Sequence, residues 1–240
     1  GKDHDDHFWN SLMRQMILNG YQDAASLEKR IEAVNAWLAN PQLLEADKNA
    51  KYAAVIEINL SDIKEPIVAC PNDPDDVKLL SEVAGTPVQD VFIGSCMTNI
   101  GHFRAAAEIW RGQMFSGNVR PWICPPTRMD QQQLKDEACF SIFGAFGARI
   151  EMAGCSLCMG NQARVPVGGN VFSTSTRNFD DRMGDGARVF LGSAELGAVT
   201  ALLGRLPDVS EYMRIHAEKI EPKKADIYRY LQFDELYCGA

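Results

Sequence analysis

Two cysteines in one glycine-framed loop are the residues best suited to chemistry in this sequence. Cys155 and Cys158 stand three apart in Gly-Cys-Ser-Leu-Cys-Met-Gly-Asn-Gln. A third cysteine, Cys96, lies in a similar segment, Gly-Ser-Cys-Met-Thr-Asn. Thiolate sulfur binds zinc and iron–sulfur clusters, and a C-x-x-C pair is also typical of thiol redox enzymes. The three cysteines therefore predict a metal or redox centre.

The number of protein ligands distinguishes a zinc site from an iron–sulfur cluster. A structural zinc site takes four protein ligands, and His102 could supply the fourth. A four-iron cluster held by three cysteines leaves one iron open, and an open metal can bind substrate and act as a Lewis acid. Three ligands therefore favour catalysis over electron transfer, with zinc as the alternative. The polar neighbours able to hydrogen-bond the sulfurs and the substrate are Ser95, Thr98, Asn99 and Asn161.

A second polar loop carries two arginines. Arg177 and Arg182 stand five apart, directly after a predicted strand at 171–174. The planar guanidinium binds carboxylates, often through two hydrogen bonds. Both arginines could instead pair with neighbouring aspartates at the surface. Taken together with the cysteines, they predict a site for a polycarboxylate.

The elements that position these loops follow an α/β pattern. Short apolar strands alternating with helices predict a mainly parallel sheet with helices on both faces. In such sheets ligands collect at the carboxyl ends of the strands, where both cysteine loops would meet. The strands are predicted at 91–93, 121–123, 149–152, 171–174 and 189–191, and the helices at 101–114, 129–143 and 194–203, the last capped by Ser193.

Three segments are predicted along the chain. Residues 1–52 form a helical lead-in, the tail of a preceding part of the protein. Residues 53–87 contain a strand and an acidic connecting segment, and 88–240 form the cluster-bearing α/β domain. The lead-in helices are predicted at 8–19, 26–40 and around 43–51, the first strand at 53–60, and a packing helix or docking strip around Tyr228–Phe233.

Charge, cysteine content and the length of apolar runs indicate which classes of protein the chain can belong to. The 240 residues carry a net charge of −8, whereas general binding to nucleic acid or to a membrane surface needs positive charge. Seven cysteines without disulfide-like spacing favour a reducing, cytoplasmic location, where Cys70, Cys124, Cys139 and Cys238 would be ordinary residues. No apolar run is long enough for a membrane span. The absence of an initiator Met suggests a piece of something longer.

Three motifs together resemble the aconitase superfamily. They are Gly-Ser-Cys-Met-Thr-Asn at 94–99, Cys-Ser-Leu-Cys-Met-Gly-Asn-Gln at 155–162 and Ser-Thr-Arg-Asn-Phe at 175–179. Met97 within the first motif and Thr176 in the third are closest to the bacterial aconitase B branch. The segment at 56–61 is similar to the one that precedes the third domain in that family.

This resemblance implies a [4Fe-4S] cluster held by Cys96, Cys155 and Cys158, with the fourth iron open to substrate. It implies that Arg177 and Arg182 bind substrate carboxylates. The reaction implied is the reversible conversion of citrate into isocitrate through cis-aconitate, with 2-methylisocitrate dehydration as a possible second activity.

The catalytic base of the family lies in a separate domain that is not identifiable in this sequence. We therefore expect a C-terminal portion of the enzyme, with the remaining domains as partners and little hydratase activity when isolated. The alternatives are a homoaconitase or isopropylmalate isomerase, an apo-form regulator that binds messenger RNA, and a zinc-stabilised interaction domain.

Overall fold

The computed structural model describes residues 24–42, 44–115, 117–154 and 164–229. The chain divides into two compact units. One comprises Gly1–Ile58 with Gln232–Ala240, and the other comprises Asn59–Leu231. The helix predicted at 8–19 and most of the predicted C-terminal strip lie outside the described residues.

The first unit contains one of the predicted helices. Helix α1 spans Ala24–Ala39 and confirms the prediction for 26–40. Residues 44–51 contain a turn where a short helix was predicted. The strand predicted at 53–60 is also wrong, because Val55 and Ile56 are 79% and 82% exposed and no described strand pairs with them. An extended segment needs a hydrogen-bonded neighbour to become a stable strand.

The second unit is built on a seven-stranded sheet in the order β2-β1-β7-β6-β3-β4-β5. Strands β3 to β7 run parallel, and β1 and β2 add an antiparallel edge. The predicted mainly parallel α/β sheet is therefore confirmed. The strands are β1 Ile67–Ala69, β2 Val77–Leu79, β3 Asp90–Gly94, β4 Arg120–Cys124, β5 Arg149–Ile150, β6 Asn170–Ser173 and β7 Arg188–Leu191.

Helices follow β3, β4 and β7, as the alternating pattern predicts, whereas the described chain joins β6 to β7 through a loop. Short 3-10 turns at Leu60–Asp62 and Glu221–Lys223 complete the described elements of this unit. The helices are α2 Leu80–Val83, α3 Ile100–Trp110, α4 Arg128–Asp136, α5 Cys139–Phe146, α6 Ala194–Leu203, α7 Val209–Lys219 and α8 Lys224–Ile227.

The helix predicted at 129–143 is interrupted in the structure. Ala138 adopts a left-handed conformation, with φ 60°, between α4 and α5. The two helices differ in composition, since α4 is polar and buries Leu134, whereas α5 buries Phe143 and Phe146. The break allows α5 to turn its aromatic face into the core, which one continuous helix would not allow.

The two faces of the sheet are covered differently in the described residues. Helices α2 to α8 contribute buried side chains to the larger core cluster, where Trp110 stacks on Phe146 at 4.4 Å and donates to the Ala198 carbonyl at 2.9 Å. The smaller cluster lies on the opposite face and joins strand residues to Val165 and Met183 of loops. Helices were predicted on both faces, but the described helices of this unit pack on one face, and loops cover the other. Alternation of side chains along β3 sends Val91 and Phe92 to different clusters.

The order of the strands reverses between β3 and β6. From β3 the chain moves outward to β4 and β5, and then crosses to β6 and β7 on the other side. Ligands of open α/β sheets bind at the carboxyl ends of the strands beside such a switch point. The loop with Cys96 follows β3, and the loop with Arg177 follows β6. The fold therefore brings two of the predicted loops to the position where a ligand is expected.

No helix in the described ranges is long and apolar enough to cross a membrane.

Gly94, the last residue of β3, provides a test of the strand contact at this edge. It lies opposite Cys124 in the β3–β4 register, and a Cβ added to it would lie 2.4 Å from the Cys124 carbonyl oxygen. We expect Gly94→Ala to lower the free energy of unfolding by about 1–3 kcal/mol, because the added methyl group forces the strands apart.

Gly144→Ala in α5 is the matched control, because nothing lies within 4 Å of its added Cβ. It should raise the free energy of unfolding by about 0.5–1 kcal/mol, the usual gain from replacing glycine in a helix. Urea denaturation measures both values. Equal effects of the two substitutions would contradict the close contact at Gly94.

Candidate metal and substrate site

The Cys96 loop makes a sharp turn at the end of β3. Ser95 is buried and has φ 141°, a backbone region that non-glycine residues rarely adopt. Its hydroxyl accepts from the Met97 N–H at 3.1 Å, and its carbonyl accepts from the Thr98 N–H at 3.1 Å. Cys96 is exposed and Thr98 is buried. The turn therefore holds its polar neighbours inside while the thiol of Cys96 faces outward.

Helix α3 begins directly after this turn. The Asn99 side chain accepts from the Gly101 N–H at 2.8 Å and so acts as the N-cap. Cys96 lies three residues before this cap, so the turn that carries it leads directly into α3.

Thr174 ties the arginine loop to the Cys96 loop. At the carboxyl end of β6 its N–H donates to the Phe92 carbonyl at 3.1 Å. Its hydroxyl donates to the Gly94 carbonyl at 2.8 Å and accepts from the Gly94 N–H at 2.9 Å. One side chain thus fixes the start of the Arg177 loop to the residue that precedes Ser95 and Cys96.

The rest of the arginine loop is anchored by an amide. The Asn178 side chain donates to the carbonyls of Cys70 and Val189 at 2.8 and 3.0 Å. Arg177 is exposed, whereas Arg182 is only 4% exposed. The two predicted carboxylate-binding residues therefore differ in environment: one faces solvent, and the other is inside the protein.

A third segment reaches the same edge at the end of β4. The Gly154 N–H donates to the Pro125 carbonyl at 2.9 Å, and the Glu151 N–H donates to the Ile123 carbonyl at 2.9 Å. The chain is therefore held beside β4 up to Gly154. The next predicted ligand residues, Cys155 and Cys158, lie outside the described residues, as does Asn161.

The donor set fits an iron–sulfur cluster as far as it is described. Exposed Cys96 follows β3. The segment that leads to Cys155 and Cys158 follows β5 and is anchored at Gly154 beside the end of β4, so these segments start from one edge of the sheet. Thiolates are the ligands that such clusters prefer. Within the described ranges, which leave out Cys155 and Cys158, no three His, Cys, Asp or Glu side chains are grouped to hold a metal ion.

His102, the possible fourth zinc ligand, is engaged elsewhere. Its Nδ1 lies 3.0 Å from Oε1 of Glu195, in the first turn of α6. The Tyr228 hydroxyl donates to the same oxygen at 2.8 Å. Glu195 is 6% exposed, so its charge is neutralised inside the protein by these partners. Neither Glu195 nor Tyr228 was identified as a polar partner from the sequence, because they lie 93 and 126 positions from His102.

The pair shifts the pKa of both members. The hydrogen bond to Glu195 raises the pKa of His102, although partial burial opposes this. Burial alone would raise the pKa of Glu195, but the hydrogen bond and the charge of His102 lower it to about 2. Burial beside Glu195 raises the pKa of the Tyr228 hydroxyl, which stays a hydrogen-bond donor. The three groups therefore form an ion pair with a neutral donor.

Arg104 holds the C-terminal segment of this unit against α3. Arg104, only 5% exposed, donates to the Arg229 carbonyl at 2.6 Å. It also donates twice to the Glu137 carboxylate, at 2.7 and 2.8 Å. The helix that follows the Cys96 loop is thereby connected to the C-terminal cap of α4 and to the end of the described chain.

A groove of about 690 Å³ opens beside β7 at the carboxyl edge, but it is distinct from the predicted site. Ser175 and Ser193 contribute to it, whereas Cys96 and Arg177 do not line it. Most of its exposed surface is apolar, from residues such as Ile67, Val77 and Met213, and such a surface suits a polycarboxylate poorly.

The family model and the relatives that match this chain all point to the aconitase family. A family model described as the aconitase family (aconitate hydratase) matches residues 80–204. Aconitate hydratase B of Synechocystis sp. is 63% identical over 227 residues, 94% of this chain and 26% of its own length. The Pseudomonas aeruginosa protein of that name is 58% identical over 226 residues, with the same coverage.

A more distant relative is the 3-isopropylmalate dehydratase large subunit of Geobacter sulfurreducens. It is 35% identical over 189 residues, 78% of this chain and 44% of its own length. The chain spans about a quarter of the length of the aconitate hydratase B relatives named above.

The His102–Glu195 pair predicts a defined pH dependence. Because the pKa of His102 is raised, the stability that protonated His102 adds to the fold is fully present below pH 6.5, the ordinary pKa of histidine. That stability is lost as pH rises through the raised pKa. Because the pKa of Glu195 is lowered, its contribution is present above its ordinary value of 4.5 and is lost as pH falls towards about 2. The coupling should therefore be greatest between these ordinary values.

A double-mutant cycle with His102→Gln and Glu195→Gln measures this coupling from urea denaturation at several pH values. The coupling should decrease as pH rises above 6.5 and the imidazolium loses its proton. A coupling that stays constant as pH rises above that value would contradict the ion pair.

Proposed function

Because the chain belongs to the aconitase family, we propose that it is the cluster-bearing portion of an aconitate hydratase. The family match covers residues 80–204, from α2 to the end of α6. The proposed enzyme interconverts citrate and isocitrate through cis-aconitate in the cytoplasm. 2-Methylisocitrate carries a hydroxyl and carboxylates of the same kind, and its dehydration belongs to the same proposal.

The observation that carries the proposal is the junction made by Thr174. It joins the end of β3, which leads to Cys96, to the end of β6, which leads to Arg177. A metal ligand and a carboxylate-binding cation thus start from neighbouring strands at the switch point of the sheet. This arrangement suits a substrate that has both a hydroxyl to lose and carboxylates to be held.

We propose that Cys96, Cys155 and Cys158 hold a [4Fe-4S] cluster. When bound, such a cluster supplies a Lewis-acidic iron that makes the departing hydroxyl a better leaving group. The chain's own residues do the remaining work. The buried Ser95 and Thr98 keep the Cys96 turn rigid, and Asn99 and Asn161 are proposed to donate hydrogen bonds near the sulfurs.

The arginines are proposed to orient the substrate. Arg177, at the exposed surface of the loop, would bind a carboxylate through its fork of N–H donors. Arg182 is buried, so its charge acts in a medium of low dielectric constant, where attraction to an anion is stronger than in water. Two fixed cations would restrict a polycarboxylate to one orientation before the hydroxyl leaves.

Sequence identity favours aconitate over isopropylmalate as the substrate. The aconitate hydratase B relatives of Synechocystis and Escherichia coli are 63% and 56% identical to the chain, whereas the Geobacter isopropylmalate dehydratase subunit is 35% identical. The net charge of −8 argues against a role in binding messenger RNA.

The complete reaction is proposed for the longer enzyme. The chain corresponds to about a quarter of the length of its aconitate hydratase B relatives, and the remaining domains are the proposed source of the catalytic base. We expect the 240-residue chain to bind the cluster and the substrate anion with little turnover. Binding measurements therefore test its role more directly than activity.

Replacement of Cys96 tests the cluster. After anaerobic reconstitution with iron and sulfide, the unmodified chain should hold about four irons and show broad visible absorption. Cys96→Ser should lose most of the iron, because the cluster loses one of its protein ligands.

Cys70→Ser is the control, since Cys70 is buried and follows β1, which β7 and β6 separate from β3 in the sheet. It should retain the iron. One zinc per unmodified chain, or iron content unaffected by Cys96→Ser, would refute the proposed cluster.

Replacement of Arg177 tests the carboxylate site. In the reconstituted chain, Arg177→Gln should weaken citrate binding by about tenfold or more, because a charge-assisted hydrogen bond contributes about 1.5–3 kcal/mol. Arg188→Gln is the matched control, since Arg188 is exposed at the amino end of β7, at the opposite edge of the sheet.

Anaerobic isothermal titration calorimetry gives both dissociation constants. The Arg188 variant should bind citrate as the unmodified chain does. Equal weakening by the two substitutions would show that general loss of positive charge, and not a specific site at Arg177, explains the effect.

A further inference from the structure

Cys124 occupies the point where two of the cysteine-bearing segments meet the sheet. It is the last residue of β4 and is completely buried. On one side it lies opposite Gly94 of β3, and Gly94 is two residues before Cys96 in the sequence. On the other side its Sγ lies 3.2 Å from the carbonyl oxygens of Met152 and Gly154.

These contacts continue a backbone connection. The N–H groups of Glu151 and Gly154 donate to the carbonyls of Ile123 and Pro125, which flank Cys124. The strand end thus receives hydrogen bonds from this segment through its backbone, and the thiol returns a hydrogen bond through its side chain. A thiol is a weak donor, and here its sulfur lies within reach of two carbonyl oxygens of the same segment.

The fit on the other side is close as well. A Cβ at position 94 would lie 2.4 Å from the Cys124 carbonyl oxygen and 2.9 Å from its Cβ. The backbone of β3 therefore approaches β4 as closely as a glycine allows. Cys124 contacts both the strand that leads to Cys96 and the segment that leads to Cys155.

We propose that Cys124 is a positioning residue for the cluster: its thiol holds the Gly154 carbonyl and so fixes the start of the segment that carries Cys155 and Cys158. The role is indirect, because Cys124 acts through Gly154. The inference rests on the proposed function, since it assigns the positioning to the three proposed ligands.

The test compares Cys124→Ala, which removes the donor, with Cys124→Ser, which keeps an O–H donor of similar size. Cys139→Ala is the matched control, because Cys139 is buried in the larger core cluster, whereas Cys124 belongs to the smaller cluster on the other face of the sheet. Two quantities are measured: amide hydrogen exchange of residues 151–154 in the iron-free chain, and the rate at which visible absorption disappears in air after reconstitution.

We expect Cys124→Ala to exchange faster at residues 151–154 and to lose its absorption about tenfold faster, as is usual when a group supporting a metal ligand is removed. Cys124→Ser should restore most of both properties. Cys139→Ala should lower the melting temperature by a similar amount without changing either property.

Unchanged exchange at 151–154 in Cys124→Ala would overturn the inference, as would a rate of absorption loss equal to that of Cys139→Ala. If the unmodified chain takes up no cluster, the proposed function fails, and hydrogen exchange alone decides whether Cys124 holds the segment. If Cys124→Ala does not fold, the pair Cys124→Val and Cys124→Thr replaces it, since the two side chains share a shape and differ in the donor.

Discussion

The parallel pairing of β3 with both β4 and β6 is the constraint on which the site depends. It places three strand ends side by side at one edge, so segments far apart in sequence start from neighbouring positions. Two local contacts make this edge precise. The Thr174 hydroxyl binds both backbone groups of Gly94, and the lack of a side chain at Gly94 lets β3 approach Cys124. The proposed chemistry follows from this edge, because ligands and cations can converge there only if the strands keep their spacing.

The edge is supported from behind by charged groups that are buried or partly buried. The first turns of α3 and α6 are joined by the ion pair of His102 and Glu195, and Arg104 connects α3 to Glu137. These groups occupy the layer between the helices and leave the outward side of the Cys96 turn open. His102, which the sequence alone had suggested as a zinc ligand, therefore supports the scaffold through its pair with Glu195.

Local signals in the sequence were sufficient for most elements of the sheet. Ser193 and the good helix formers after it predicted α6 at 194–203, and its bounds agree with the structure. The apolar run at 53–60 was misleading, because a strand also requires a neighbour that the local sequence does not reveal. The interruption at Ala138 depends on how α5 turns its phenylalanines into the core, which is a property of the tertiary packing.

Motifs gave the candidate site, whereas its internal contacts required the fold. The cysteines and arginines could be selected by type and spacing, but the switch point between β3 and β6 follows from the strand order. Cys124 looked like an ordinary buried residue because its partners, Met152 and Gly154, lie about thirty positions away.

We propose that three thiolates of this chain hold a four-iron cluster with one iron open to a polycarboxylate. The iron-57 Mössbauer spectrum of the anaerobically reconstituted chain, recorded with and without citrate, tests this most directly. Citrate should change the signal of a single iron and leave the signals of the remaining irons unchanged. A spectrum that citrate leaves wholly unaltered would contradict the open iron, and a chain that binds zinc in place of iron would contradict the cluster itself.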